Sequence, residues 1–419
     1  MKMPVIFKVQ WPKFLLAALA VAEFFWYPRF AFWGAHVRVV DFIAFASFFC
    51  YLFSVPESFP PKSSSDDGKR QFSLILLVVF LSGLLSVGFS QHAESSINKI
   101  IQLFENCWLA YFAMLYATRD NIKLFVDSLL LVALFSAAFS LFFQYLPNDG
   151  DIYMGQIVRL SGLSAGYFAT NMLVALLFAV SLFLNRERLD RGGLVIAAVL
   201  LVFIVLTQIR TVWILLVALL GASVFYDFTA QKIKRLLILL SVPFIMFIST
   251  VGLVGKLAPG FSRGQWLTTL NQRGVETAHV RVELWKAAMK IFADYPFFGT
   301  GTGTFGVVYQ DPAYSTPLLS NLAEVGLLSK GIDAHSVFFT RMAETGLVGI
   351  MSYFLMFIFL GTCAKKIMAF ARDPVVLAFI VFVPVAFLSD LISDQLGLKL
   401  FWVLSGFLAG ITGVREEYG

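Results

Sequence analysis

Apolar residues fill most of this chain in long runs, separated by short polar or Gly/Pro breaks. Runs long enough to cross a bilayer lie at about 14–33, 39–55, 71–90, 99–118, 122–146, 163–184, 192–209, 211–228, 236–255, 337–363, 374–393 and 397–413. The pattern predicts an all-α integral membrane protein with about twelve transmembrane helices. The slightest break is Gln208-Ile209-Arg210-Thr211, between the seventh and eighth runs. The stretch from about Lys256 to Ala334 carries no such run, so the predicted organisation is helices 1–9 in residues 1–255, one large loop in 256–336, and helices 10–12 in 337–419. Within the loop, Val280, Leu284, Ala287, Ala288 and Ile291 recur at helical spacing. They predict an amphipathic helix over Val280–Phe292, lying on the membrane surface and ended by Pro296 and Gly299.

Composition narrows the class. Of 419 residues, 59% are hydrophobic and only 14% charged, and Phe alone supplies 46. A soluble domain carries about a quarter charged residues, so lipid is the solvent for most of this chain. The formal charge of +6 is explained by cationic cytoplasmic loops rather than by nucleic acid. Cys50, Cys107 and Cys363 sit in apolar stretches with no C-x-x-C partner and read as small buried hydrophobes. Lys2, Lys8 and Lys13 precede an apolar run that continues through Phe24, Trp26 and Phe32, which predicts an uncleaved first helix rather than a signal peptide.

Lys and Arg set the orientation. With the N-terminus inside, the inner loops carry Lys62, Lys69 and Arg70; Arg119 and Lys123; Arg186, Arg188 and Arg191; Lys232, Lys234 and Arg235; and Lys365, Lys366 and Arg372. The short outer loops carry far fewer. This bias predicts both termini in the cytoplasm and the large loop outside.

Acidic residues inside predicted spans are Glu23, Asp41, Glu105, Asp127, Asp390 and Asp394. Each costs about 2.5–3.5 kcal/mol at a bilayer centre, so each needs a partner or water. All but Asp127 fall in the outer half. Taken singly, each reads as a hydrated headgroup-level charge. Their shared side suggests a water-accessible cavity opening outward, with Arg159, Arg210 and Arg281 as natural partners.

Candidate chemistry gathers on the same side, as do all four histidines: His36, His92, His279 and His335. His335 stands where the large loop re-enters the membrane, and a neutral imidazole there can take a proton from an attacking hydroxyl. A histidine at a membrane interface is also commonly structural. Arg210 sits at an outer helix junction and Arg281 on the loop helix. Each offers a planar fork for phosphate oxygens, or else a snorkelling side chain. The run Gly299-Thr300-Gly301-Thr302-Gly303-Thr304-Phe305-Gly306 contains G-x-G-x-x-G, but it follows a helix and lies outside, so a tight turn whose amides help hold an anion is the expectation. Asp149-Gly150-Asp151 follows Pro147-Asn148 and reads as a turn. No zinc spacing or Walker loop is present, so no metal site and no cofactor are expected.

Three of these places resemble the O-antigen ligase and polymerase superfamily of bacterial envelope glycosyltransferases. Gln208-Ile209-Arg210-Thr211-Val212-Trp213 is similar to that family's arginine at an outer helix junction. Arg281-Val282-Glu283-Leu284-Trp285, followed by Pro296-Phe297-Phe298-Gly299-Thr300-Gly301, is similar to the start of its periplasmic loop. His335-Ser336, with nine residues before Gly346 and then Gly349, resembles the ligase's histidine motif. Arg159-Leu160-Ser161-Gly162-Leu163 loosely matches a further pattern.

The resemblance implies a multi-pass enzyme of the bacterial inner membrane that moves a glycan from undecaprenyl pyrophosphate to a lipid A-core acceptor at the periplasmic face. Its expected catalytic residues are His335, Arg210 and Arg281. Arg210, Arg281 and Arg159 are the expected substrate contacts. A repeat-unit polymerase would share donor and chemistry. The rival of another class is a secondary transporter, which usually shows repeat symmetry and a midplane site; neither pattern is evident here.

Overall fold

A computed structural model describes residues 5–24, 30–32, 35–53, 66–90, 92–140, 168–185, 191–207, 209–225, 229–241, 263–324, 333–369, 373–392 and 399–412. Among the described residues the regular structure is helical apart from one short hairpin. Its helices are α1 (Val5–Ala22), α2 (Val39–Phe53), α3 (Asp66–Gly88), α4 (Ala93–Leu115), α5 (Arg119–Phe139), α6 (Phe168–Asn185), α7 (Arg191–Leu206) and α8 (Arg210–Phe225). After α9 (230–241) come α10 (Arg263–Asp294), α11 (Phe305–Val308), α12 (Pro317–Glu324), α13 (Val337–Met368), α14 (Pro374–Ile392) and α15 (Lys399–Ile411). The hairpin pairs β1 (Phe30–Phe32) with β2 (Ala35–Val37), Phe30 opposite Val37.

Each of the twelve apolar runs overlaps one described helix, α1–α9 and α13–α15. Four described helices are long and apolar enough by themselves to cross a membrane: Asp67–Gly88, Arg119–Phe139, Val337–Met368 and Pro374–Ile392. Six others are apolar but shorter, as the adjacent α7 and α8 illustrate. The slight break between the seventh and eighth runs is a real one, because α7 stops at Leu206 and Arg210 opens α8.

Contacts sort the helix ends into two groups. At one end, Asn171 of α6 donates to the Glu23 carbonyl just past α1 at 2.9 Å, and Thr302 N–H donates to Ser86 near the close of α3 at 3.0 Å. At the other, Arg119 of α5 pairs with Asp373 before α14 at 3.0 Å, and Arg235 of α9 donates to the Leu184 carbonyl of α6 at 3.0 Å. Segments α10–α12 all belong to the first end. The main core lies among α1–α9 and α13–α15 and carries Trp402, Phe112, Phe178 and Phe379 at its centre. Helix α15 reaches α4 through Gly406 and Gly410: an added Cβ would stand 2.1 Å from the Ala110 carbonyl and 2.6 Å from that of Met114. Small residues let helix backbones approach this closely.

A second core forms around α10, and it changes one expectation. The helix is longer than the predicted Val280–Phe292. Its stripe of Leu284, Ala287, Ala288 and Ile291 is fully buried against Phe305, Tyr309, Leu319, Ala334 and Ala343. The apolar face therefore packs on protein rather than lying on a membrane. Burying such a leucine stabilises by about 1.5–3 kcal/mol, gained here against the loop itself and the start of α13.

Candidate functional site

The first group of helix ends carries the candidate chemistry. Arg281 projects from α10 into the junction between α8 and α14. Its Nη1 donates to Thr211 Oγ1 at 3.2 Å and to the Ile392 carbonyl at 3.1 Å. Its Nε is buried and has no hydrogen-bond partner among the described residues. Burial draws the guanidinium pKa below its usual range, and the nearby Asp333 carboxylate opposes that shift. A guanidinium stays charged under such a pull. The site thus holds a cation whose fork is only partly engaged, through Nη1.

The segment carrying Asp333 also carries His335. Asp333 Oδ1 accepts the His335 backbone N–H at 2.7 Å and lies 3.6 Å from His335 Nδ1. The histidine side chain is 43% exposed, open enough to meet a substrate. Its φ of 50° is left-handed, a conformation that costs a non-glycine residue strain. The neighbours hold it there. Trp285 Nε1 donates to the Ala334 carbonyl at 3.0 Å, and its ring stacks on Phe339 at 4.9 Å. Ser336 caps α13 by accepting Phe339 N–H at 3.4 Å, and its hydroxyl donates to the Asp390 carbonyl at 3.4 Å. Trp285, expected on the membrane surface, is thus a clamp on the His335 segment.

Two expected site residues therefore converge, Arg281 and His335, with Asp333 as shared neighbour. Arg210 is the first residue of α8, next to the Thr211 that Arg281 contacts; its side chain is outside the described residues. Arg159, Asp149, Asp151 and Asp394 lie outside the described residues altogether. His279 is 63% exposed and 3.7 Å from Glu283. Reading the residues one at a time missed Asp333 and Thr211. The D-x-H spacing and the position after Arg210 were the available signals.

The glycine-rich run is a turn, as expected, but its amides are taken up by the protein's own Glu344 carboxyl. Phe305 N–H donates to Glu344 Oε1 at 3.1 Å, and the Gly303 amide also donates to that carboxylate. Opposite it, α13 breaks at Gly346, with φ 61° and ψ −154°. The freed backbone pairs with the turn: Gly301 N–H to the Glu344 carbonyl at 2.9 Å, and Leu347 N–H to the Pro296 carbonyl at 2.8 Å. Gly299 and Gly346 make this approach possible. A Cβ on Gly299 would stand 2.3 Å from Glu344 backbone, and one on Gly346 2.5 Å from Phe297 backbone. The spacing from Ser336 to Gly346 is thus the distance from helix cap to helix break.

The acidic residues correct the expectation of hydrated, arginine-paired charges. Glu23, Asp41, Glu105 and Asp390 are all buried. The cation that meets Asp41 and Glu105 is Lys399, itself 1% exposed; it lies 2.6 Å from Asp41 and donates to Glu105. Arg38 lies 3.6 Å from Asp41. Asp390 accepts from Tyr353 OH at 3.5 Å. Ion pairing inside protein meets the need of Asp41 and Glu105 for a partner, and a tyrosine hydroxyl meets that of Asp390.

No curated protein matches the chain. The family described as O-antigen ligase matches residues 173–354, which run from α6 into α13 and include Thr211, Arg281, Asp333 and His335. Over these residues the chain is similar to the O-antigen ligase family, in agreement with the resemblance that its sequence carries.

Proposed function

We propose that this protein transfers a glycan from undecaprenyl pyrophosphate to a sugar hydroxyl of a lipid A-core acceptor, at the periplasmic face of the inner membrane. The observation that carries the reading is Arg281: a part-buried guanidinium bonded to Thr211 and Ile392, in the electrostatic range of the Asp333 carboxylate that lies beside the accessible His335 imidazole. Pyrophosphate is already a good leaving group and needs charge stabilisation more than a general acid. Arg281 and Arg210, with Arg159 as a further contact, supply it as phosphate forks. His335 takes the proton from the acceptor hydroxyl as that oxygen attacks the anomeric carbon. The bond to the pyrophosphate breaks on the opposite face, so the anomeric centre inverts. The arginines take the role a metal would otherwise fill.

Sidedness follows from charge. Arg281 and His335 share one end of the bundle, and the described cations Arg119, Arg235, Lys365 and Lys366 lie at the other, which the positive-inside rule assigns to the cytoplasm together with both termini. The same reading assigns twelve spans to α1–α9 and α13–α15, with residues 256–336 as the extramembrane loop. An impermeant thiol reagent on intact cells should label Ser315→Cys and spare Ser64→Cys. The reverse pattern overturns the orientation.

Purified protein given radiolabelled lipid-linked glycan should build product on lipid A-core and release undecaprenyl pyrophosphate. His335→Ala should lower that turnover by about 10²–10⁴ while donor binding persists. Product that grows only on a second carrier-linked glycan would make the protein a polymerase. No transfer to either acceptor, with movement of the donor across vesicles, would favour a transporter and sink the enzyme reading.

A further inference from the structure

The α10–α12 subdomain buries its own amphipathic stripe, yet one part of its surface remains strongly apolar. Phe297 is 64% exposed at the turn after α10, and Phe89 is 60% exposed just past the end of α3. Phe298 stacks flat on Phe89, with ring centroids 4.4 Å apart and planes 7° from parallel. Water-exposed phenylalanines rarely gather in this way on a soluble face, so the patch calls for a cover.

Its position names the cover. Beyond Phe89, α3 presents Leu81 and Leu85 outward, and beyond Gly346, α13 presents Leu347 and Met351 outward. These two helices pack on each other through Ser82 and Ser352 at 3.0 Å, so their exposed sides form one surface. Both are long and apolar enough to cross a membrane, and lipid is the solvent for such faces. The Phe297 turn is tied to the upper edge of that surface: Val348 N–H donates to the Phe297 carbonyl at 3.2 Å, next to the Leu347–Pro296 bond. The aromatic patch therefore continues the lipid-facing surface at the level where α13 breaks.

We propose that Phe89, Phe297 and Phe298 form a foot that seats the α10–α12 subdomain in the bilayer, with the rings among phospholipid chains near the headgroup boundary. Phenylalanines on the apolar face of an interfacial segment bury at the boundary of headgroups and acyl chains. The occupant is ordinary bilayer phospholipid. The foot is held to α13 through the Gly346 break, and α13 begins immediately after the His335 segment. It thereby sets the height of that segment above the hydrocarbon. The inference concerns the surface and does not depend on which reaction the site performs.

The test uses the full chain reconstituted in phosphatidylcholine–phosphatidylglycerol vesicles. Phe297→Cys carries an environment-sensitive fluorophore, with the parent chain's own labelling subtracted. Ala313→Cys, in the exposed Asp311–Ala313 turn of the same subdomain, is the aqueous reference. Phospholipid bearing a doxyl group near the headgroup end of its chain should quench the label at 297 and leave that at 313 bright. Iodide in the buffer should do the opposite. Phe89→Cys gives the same measurement from α3, should the change at 297 disturb folding. Iodide quenching at 297 or 89 equal to that at 313 overturns the proposal.

Discussion

Asp333 and His335 are joined twice: the carboxylate accepts the histidine's backbone N–H at 2.7 Å and stands 3.6 Å from its ring Nδ1. The first contact helps hold a left-handed backbone; the second sets a negative charge beside the imidazole. The two contributions can be separated. Asp333→Asn keeps an oxygen to accept the N–H but loses the charge, whereas Asp333→Ala loses both. We expect Asp333→Ala to lower transfer by about 10²-fold, the cost of misplacing a reacting group by about an ångström. Asp333→Asn should fall between Ala and wild type. Steady-state turnover of the two variants checks this, and an Asp333→Ala protein as active as the parent would make the pair incidental.

Arg281 offers a sharper comparison, because charge and shape can be varied apart. Lysine at this position keeps the charge but offers all its donors from a single nitrogen, without the planar fork that holds Thr211 and Ile392 on one nitrogen and presents the others beside it. Arg281→Lys should therefore impair transfer nearly as much as Arg281→Ala, and both should weaken binding of the lipid pyrophosphate. Thr211→Val removes only one acceptor and should cost less. Full activity in Arg281→Lys would mean that a point charge suffices and the fork is unused.

The break in α13 predicts a structural lesion close to the site. Gly346 occupies φ 61°, ψ −154°, a region almost closed to residues with a side chain, and an added Cβ would lie 2.5 Å from Phe297 backbone. Gly346→Ala should destabilise by at least about 1–3 kcal/mol from backbone strain alone. Thermal unfolding in detergent should show a lowered midpoint, and proteolysis should cut the α10–α12 subdomain first. Gly361, where nothing stands within 4 Å of an added Cβ, is the matched control.

How legible all this was in the sequence depended on range. Helix order, the break before Arg210 and the start of α13 after His335-Ser336 follow from local patterns, since periodicity and caps act over a few residues. The stripe on α10 was equally visible, but periodicity says only that a face is apolar, not whether lipid or protein covers it. Phe305, Tyr309 and Ala343 provide that cover from later in the chain. The same limit applies to Glu344, whose partners lie about forty positions earlier. It is most severe for Lys399, an unremarkable loop cation in sequence whose partner Glu105 is 294 positions away. The convergence of Arg281 with Asp333 is likewise tertiary, and a charge pattern along one strand of sequence cannot reveal it.

Lys399 supplies the last prediction. It is 1% exposed, 2.6 Å from Asp41, and donates to Glu105, so one ammonium serves two buried carboxylates. These groups tie the starts of α2 and α15 to the middle of α4. A buried pair is weak evidence of net stabilisation, because desolvation offsets most of the attraction; removing one partner is another matter, since it strands a charge. Lys399→Met leaves Asp41 with Arg38 alone at 3.6 Å and Glu105 with neither cation in contact. The single variant should lose about 3–5 kcal/mol of stability. Adding Glu105→Gln removes the stranded charge, so the double variant should recover part of that loss despite carrying more substitutions. Thermal midpoints of the parent, both singles and the double, measured in one detergent, give the coupling between the two sites. Independent, additive losses would show that Lys399 and Glu105 do not act as a pair.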